Sequence, residues 1–132
     1  MAKKFFVYGT LKVGGHFAER FDGLRKSCVA ATLPNMDLFN LGWFPTIKPG
    51  KGEVVGEVHE YNNEDEVLST FDMIEGYNPS RPTAGLYVRS EHDVVLDTGE
   101  TIRAIAYTFR NEVPGDAKKI EDGVWRLKVM GT

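Results

Sequence analysis

Two short segments of this chain combine residue types and spacings suited to proton-transfer chemistry on a carboxylate-bearing small molecule. The first, Phe5-Phe6-Val7-Tyr8-Gly9-Thr10-Leu11-Lys12, is an aromatic-rich apolar run broken by a glycine and a small hydroxyl residue. It reads as a buried strand ending in a sharp turn. Glycine opens backbone conformations closed to other residues and lets a ligand approach closely. Successive N–H groups in such a turn can converge on an anion such as a carboxylate. The second segment, Phe71-Asp72-Met73-Ile74-Glu75-Gly76-Tyr77, places a glutamate in an unusual position. At about 100° per residue, the apolar stripe of a helix here covers Val67, Leu68, Phe71 and Ile74. Glu75 projects into that same arc, whereas Asp72 lies at its edge. A glutamate on the core side of a helix carries a desolvation cost unless a partner meets it. In an apolar pocket its pKa rises, which suits a carboxyl that both accepts and donates a proton near neutral pH. The alternative is that the helix ends before Gly76 and Glu75 swings into water.

Other chemistries find less support. Cys28 is the only cysteine, so an internal disulfide and a cysteine-based metal cage are excluded within one chain. It sits in the strand-like run Ser27-Cys28-Val29-Ala30-Ala31 and reads as a buried structural thiol rather than a nucleophile. His16, His59 and His92 are far apart, and none forms a metal-ligand pair with a nearby His or Cys. No metal site is expected. A Gly-x-Ser-x-Gly nucleophile elbow is absent from the sequence.

The elements that must position these residues are mostly strands. Val54 to Tyr61 alternates well enough for a strand, with Gly56 a candidate bend or close-approach point. From Leu86 to Leu96 the alternation is clearer, with Leu86, Val88, Ser90, His92, Val94 and Leu96 on one face. Asp97-Thr98-Gly99-Glu100 supplies a turn and Thr101 to Phe109 a returning strand, together a hairpin. Ser27 to about Phe39 reads as another strand or a bent pair. Leu41-Gly42-Trp43-Phe44-Pro45 reads as a loop whose two aromatic rings either cap the core or wall a pocket. One helix stands out, with Asn63 as its cap, Glu66 in capping-box position and acidic residues through the first turn. A second short helix is expected from His16 to Leu24. Many short strands with few helices point to an α+β protein, a small mixed β-barrel with short flanking helices.

Size and composition set the frame. A chain of 132 residues is expected to form one domain, residues 1–132, with a core that needs no staples. Its 42% hydrophobic and 27% charged residues are ordinary for a soluble globular protein. A formal net charge of -3 argues against nucleic acid as a partner, because phosphate binding leaves a basic footprint. Lys3 and Lys4 read as solvated. No apolar run approaches the roughly 20 residues of a membrane span, and the start lacks the apolar core of a secretory signal. The expected location is the cytoplasm.

The ordered set of motifs resembles the gamma-glutamylcyclotransferase-like family, which includes plant avirulence-induced proteins. Tyr8-Gly9-Thr10-Leu11 resembles the family's Tyr-Gly-(Ser/Thr)-Leu loop after the first strand, and Glu75-Gly76, preceded by Phe71-Asp72, its catalytic Glu-Gly. Gly52 to Val58 is similar to its glycine- and valine-rich strand, Leu86-Tyr87-Val88-Arg89 to its Tyr-x-Arg segment, and Gly99 to Tyr107 to the strand ending in Ala-x-x-Tyr. Gly123-Val124-Trp125 resembles a tryptophan near the end of short members. The matches cover nearly the whole chain. Length and Tyr-Gly-Thr-Leu-Lys are most similar to the gamma-glutamylamine cyclotransferase branch. The stretch from Tyr77 to Gly85 is longer than in many short members.

The resemblance implies an intramolecular reaction. The free α-amine of a gamma-glutamyl group attacks its own side-chain amide, giving 5-oxoproline and a released amine, with no cofactor. Glu75 would be the general acid/base, and the Tyr8, Gly9, Thr10 and Leu11 loop would bind the α-carboxylate or the developing oxyanion. Tyr87 would be a hydrogen-bond partner near Glu75. Arg89 would contact a carboxylate, or else pair with Glu91 at the surface. The rival class is a non-catalytic binding module of the same fold that recognises a small acidic ligand. Within enzymology, the rivals are a cyclotransferase acting on glutathione and one acting on a gamma-glutamyl-protected metabolite.

Overall fold

A computed structural model describes residues 3–9, 11–13, 18–41, 45–85, 87–109, 113, 115 and 117–125. Its framework is a long bent hairpin of β2 (Arg25–Asn40) and β3 (Pro45–Tyr61) joined by β1 (Phe5–Val7), β4 (Tyr87–Leu96) and β5 (Thr101–Phe109). The strand order is β3-β1-β5-β4-β2, and β2 also pairs with β3, so the five strands close into a barrel. All of these pairings are antiparallel except β1 with β5, which makes the barrel mixed. A short β6 (Lys118–Ile120) adds to the far end of β2 beside Leu38–Asn40. Closure removes the open sheet edges that a small sheet would otherwise present.

Alternation along the strands sorts side chains into two layers. Phe6, Tyr8, Ala31, Leu33, Val54, Val58, Val94, Ala104 and Ala106 form one buried cluster inside the barrel. Phe5, Val7, Tyr61, Tyr87 and Tyr107 point the other way and pack with Val67 and Phe71 of helix α1 (Glu64–Glu75). The first layer is mostly aliphatic, with small alanines beside Phe6 and Tyr8, whereas the second is richer in aromatics, with Phe5, Phe21, Tyr61 and Phe71 meeting edge to face at 4.8–6.1 Å. The hairpin expected at Asp97–Glu100 forms, with Val95 opposite Thr101 and the Gly99 N–H bonded to the Leu96 carbonyl. Gly56 is a close-approach point: a Cβ there would stand 2.3 Å from the Val7 carbonyl oxygen. Among the described residues, no helix is long and apolar enough to cross a membrane.

One local expectation is resolved between its two readings, and three need correction. The strand from Ser27 is one continuous element to Asn40, bent at an irregularity between Pro34 and Met36, where Asn35 takes a φ of 62°. Asn63 does not cap α1 through its side chain. It adopts left-handed backbone (φ 52°), and no capping box forms. The helix expected at 16–24 is a single 3₁₀ turn at Ala18–Phe21, and His16 and Phe17 lie outside the described residues. Cys28 is exposed rather than buried, because the 25–30 stretch alternates between partly covered and open positions and Cys28 falls on an open one. Trp43, Phe44 and Leu86 also lie outside the described residues.

Candidate active site

The C-terminal end of α1 is built to stop the helix immediately after Glu75. Gly76 takes φ 72°, a left-handed conformation that costs little without a Cβ. The Tyr77 N–H then bonds to the Asp72 carbonyl at 2.8 Å and the Gly76 N–H to the Met73 carbonyl at 3.2 Å. The segment after it folds back so tightly that a Cβ on Gly85 would lie 1.9 Å from the Gly76 carbonyl oxygen. Within it, the Arg81 N–H bonds to the Asn78 carbonyl and the Ala84 N–H to the Arg81 carbonyl, so the Tyr77–Gly85 stretch is a run of turns. Glu75 is the last residue of the helix and, with Gly76 and Gly85, lines a cavity of about 550 Å³.

The opposite wall of this cavity comes from β1 and the turn after it. Tyr8, Gly9 and Leu11 all line it, together with Tyr87 of β4 and Tyr107 of β5. The turn is closed by the Lys12 N–H bonding to the Gly9 carbonyl at 3.0 Å. Gly9 is needed there for space rather than for unusual backbone angles. Its φ is not left-handed, and a Cβ would fall 2.6 Å from Pro45 Cγ. Thr10 lies outside the described residues.

Electrostatics single out Glu75 among the described residues. It has no hydrogen-bond or ion-pair partner among the described residues, and burial pushes its carboxyl up to about 7. Phe71, Ile74 and Leu11 supply the apolar surroundings. Burial, and then the nearby Glu75 charge, hold the Tyr8 and Tyr87 phenols protonated far beyond neutral pH. Each is a donor already committed: Tyr8 Oη donates to the Tyr107 carbonyl at 2.7 Å and Tyr87 Oη to the Pro45 carbonyl at 3.0 Å.

Arg89 is placed differently from the expectation. It does not line the cavity and does not pair with Glu91. Its guanidinium donates to Asp72 Oδ2 at 2.5 Å and lies over the Tyr77 ring at 5.2 Å from the centroid. Asp72, at the edge of the apolar arc, is buried. It is only 6% exposed, and its other oxygen accepts from Tyr107 Oη at 2.6 Å. Pro45, Tyr107 and Gly85 are lining residues that the site reading did not include. For Tyr107 a signal existed, since alternation along β5 puts it on the same face as Ile105, and Ile105 also lines the cavity. Pro45 and Gly85 carry no local chemical signal and are brought in by the barrel. The exposed Cys28 thiol is pushed up by burial and then by Glu57, away from the thiolate a nucleophile requires.

Comparison with known proteins bears on this arrangement. Residues 5–127 match the family described as gamma-glutamyl cyclotransferase, AIG2-like. The chain is 31% identical over 122 residues to the Drosophila melanogaster protein CG2811, whose name marks it as a candidate gamma-glutamylcyclotransferase, covering 84% of this chain and 72% of that one. The solution structure of At5g39720.1 from Arabidopsis thaliana superposes with a TM-score of 0.65 at 29% identity, over 86% of this chain and 72% of that one. A mouse AIG2-like protein gives the same TM-score at 24% identity, over 86% and 80% of the two chains, a likeness of fold.

Proposed function

The chain belongs to the AIG2-like gamma-glutamyl cyclotransferase family, and on that premise we propose that it cleaves a gamma-glutamylamine to 5-oxoproline and a free amine with Glu75 as general acid/base. The observation that carries this reading is the Glu75 carboxyl, without a partner among the described residues and held at about 7 by burial in a cavity also lined by Tyr8, Gly9 and Leu11. In the reaction the α-nitrogen forms a bond to the side-chain carbonyl carbon, and the bond from that carbon to the leaving nitrogen breaks. Glu75 removes a proton from the α-ammonium and delivers it to the departing nitrogen, and the second proton that the ring nitrogen sheds on closure also ends on the released amine, which leaves as ammonium. A carboxyl titrating near neutrality does both with little energetic mismatch. Backbone N–H groups of the Tyr8–Leu11 turn hold the α-carboxylate or the developing oxyanion.

The chemistry asks for little more. Nucleophile and electrophile sit in one molecule, so the cavity has to fold and orient the chain rather than bring two reactants together. No electron changes hands, so no redox cofactor is needed. Tyr8, Tyr87 and Tyr107 shape the cavity as neutral walls, and Asp72 with Arg89 stiffens the end of the helix on which Glu75 stands. The test is incubation of the protein with gamma-glutamyl amines, gamma-glutamyl dipeptides and glutathione, with assay for 5-oxoproline. Release from a gamma-glutamylamine in preference to glutathione is the expected result. No 5-oxoproline from any of them, with a gamma-glutamyl compound still binding, would replace catalysis by the binding-module reading.

A further inference from the structure

Strands β2 and β3 bring together three side chains whose places in the sequence suggest no ligand motif. Cys28 and His59 stand directly opposite each other in the antiparallel ladder, so their side chains leave the same face. Glu57 precedes His59 by two residues on β3, and the two-residue period of a strand puts it on that face as well. A sulfur, a ring nitrogen and a carboxylate oxygen from the three lie within 4.8 Å of one another. Glu57 Oε1 is 2.9 Å from His59 Nε2. His59 Nδ1 is 2.6 Å from Tyr61 Oη, two residues further along the same face. His59 is fully buried, Glu57 half-buried and Cys28 exposed, so the group opens to solvent on the cysteine side. None of the three lines the cavity beside Glu75.

We propose that Cys28, Glu57 and His59 form a binding site for a divalent transition-metal ion, with Zn²⁺ as the best match. One thiolate, one imidazole and one carboxylate is a donor set suited to zinc and poorly suited to Mg²⁺ or Ca²⁺, which take oxygen ligands. Three protein ligands leave the fourth tetrahedral position for water on the open side. Zinc bonds of the usual lengths put tetrahedral ligand atoms roughly 3.3–3.7 Å apart. The Glu57–His59 separation lies just below that range and the three atoms all lie within 4.8 Å, close enough for rotation about side-chain bonds to close the site. Tyr61 supplies the outer-shell hydrogen bond that orients a metal-binding histidine. Before binding, Nε2–H donates to Glu57. On binding, that proton moves to Nδ1, which donates to Tyr61 Oη, Nε2 faces the ion, and the Cys28 thiol releases its proton to solvent. Sequence spacing hid this group because its cysteine and histidine are 31 positions apart and meet only through strand pairing.

Titration of chelator-treated protein with Co²⁺ tests the assignment. The expected result is one Co²⁺ per chain, with the visible bands of a tetrahedral ion and a near-ultraviolet thiolate-to-cobalt band, both lost when Zn²⁺ displaces it. Zn²⁺ should also raise the thermal midpoint in a concentration-dependent way. Cys28→Ser, at an exposed position that leaves the fold intact, should abolish the thiolate band and weaken Zn²⁺ binding by about 100-fold or more, at least the loss seen when an outer-shell partner is removed. Circular dichroism of the metal-free variant checks that it is folded. Absence of the bands up to millimolar Co²⁺, or a folded Cys28→Ser variant that binds Co²⁺ and Zn²⁺ as the natural chain does, would overturn the site.

Discussion

Asp72 and Glu75 stand three residues apart on the last turn of one helix, yet their surroundings treat the same functional group in opposite ways. Asp72 is the more deeply buried, and both of its oxygens are met, one by Arg89 and one by Tyr107. Glu75 is less enclosed and has no partner among the described residues, so desolvation acts on it without opposition. A rise from 4.5 to about 7 corresponds to roughly 3 kcal/mol against the ionised form at about 1.4 kcal/mol per pH unit. Burial by itself therefore does not make a carboxyl reactive. A satisfied carboxylate is a structural anchor, and an unsatisfied one next to a cavity is available to move protons. On this account the Asp72 cluster holds the helix end still, and Glu75 works from it.

The two conservative amide substitutions should separate these roles. Glu75→Gln is expected to lower 5-oxoproline turnover by about 100-fold or more with KM little changed, since an amide keeps the shape but cannot shuttle a proton. The same variant should gain stability relative to the natural chain as pH rises. The folded value of Glu75 lies above its unfolded 4.5, so the contribution of the protonated group is complete below 4.5 and lost as pH climbs through about 7. Urea unfolding should find the variant and the natural chain alike near pH 4, with the variant ahead by up to about 3 kcal/mol at pH 8. Asp72→Asn should do the reverse, costing about 2 kcal/mol in urea unfolding at neutral pH through loss of a charge-assisted bond to Arg89. The folded variant's turnover should stay within about tenfold of normal, because only the support of the helix end is weakened. Equal loss of turnover in both variants would break the comparison. Tyr107→Phe removes one of the two partners of Asp72 and should cost about 1 kcal/mol in the same measurement.

Much of the helix end was legible in the sequence, because helical spacing is a local property. Val67, Leu68, Phe71 and Ile74 form the apolar stripe as the periodicity predicts, and Glu75 follows them toward the core. The hairpin around Gly99 and the buried strand before Gly9 were legible for the same reason. What was hidden depends on pairs distant in the chain. Arg89 looked like a substrate or surface residue because Asp72 is 17 positions away, and their meeting depends on how α1 lies against β4. Asp72 looked marginal because its helical angle says nothing about a tyrosine arriving from β5. Cys28 looked buried because its neighbours are apolar, whereas exposure is set by which strand face a second layer covers. The Asn63 cap failed because the chain enters the helix in left-handed backbone, a consequence of the preceding turn at Asn62, whose N–H is held by the Leu24 carbonyl.

The poised state of Glu75 is tested most directly by titrating its carboxyl. Carbon-13 labelling of glutamate side-chain carboxyls, with the Glu75 resonance assigned by its disappearance in Glu75→Gln, follows ionisation without any substrate. The account predicts a midpoint at about 7 for that resonance, well above the ordinary glutamate range around 4.3. A Glu75 midpoint in that ordinary range would mean that water or an ionic partner reaches the group, and would contradict its role as the poised acid/base.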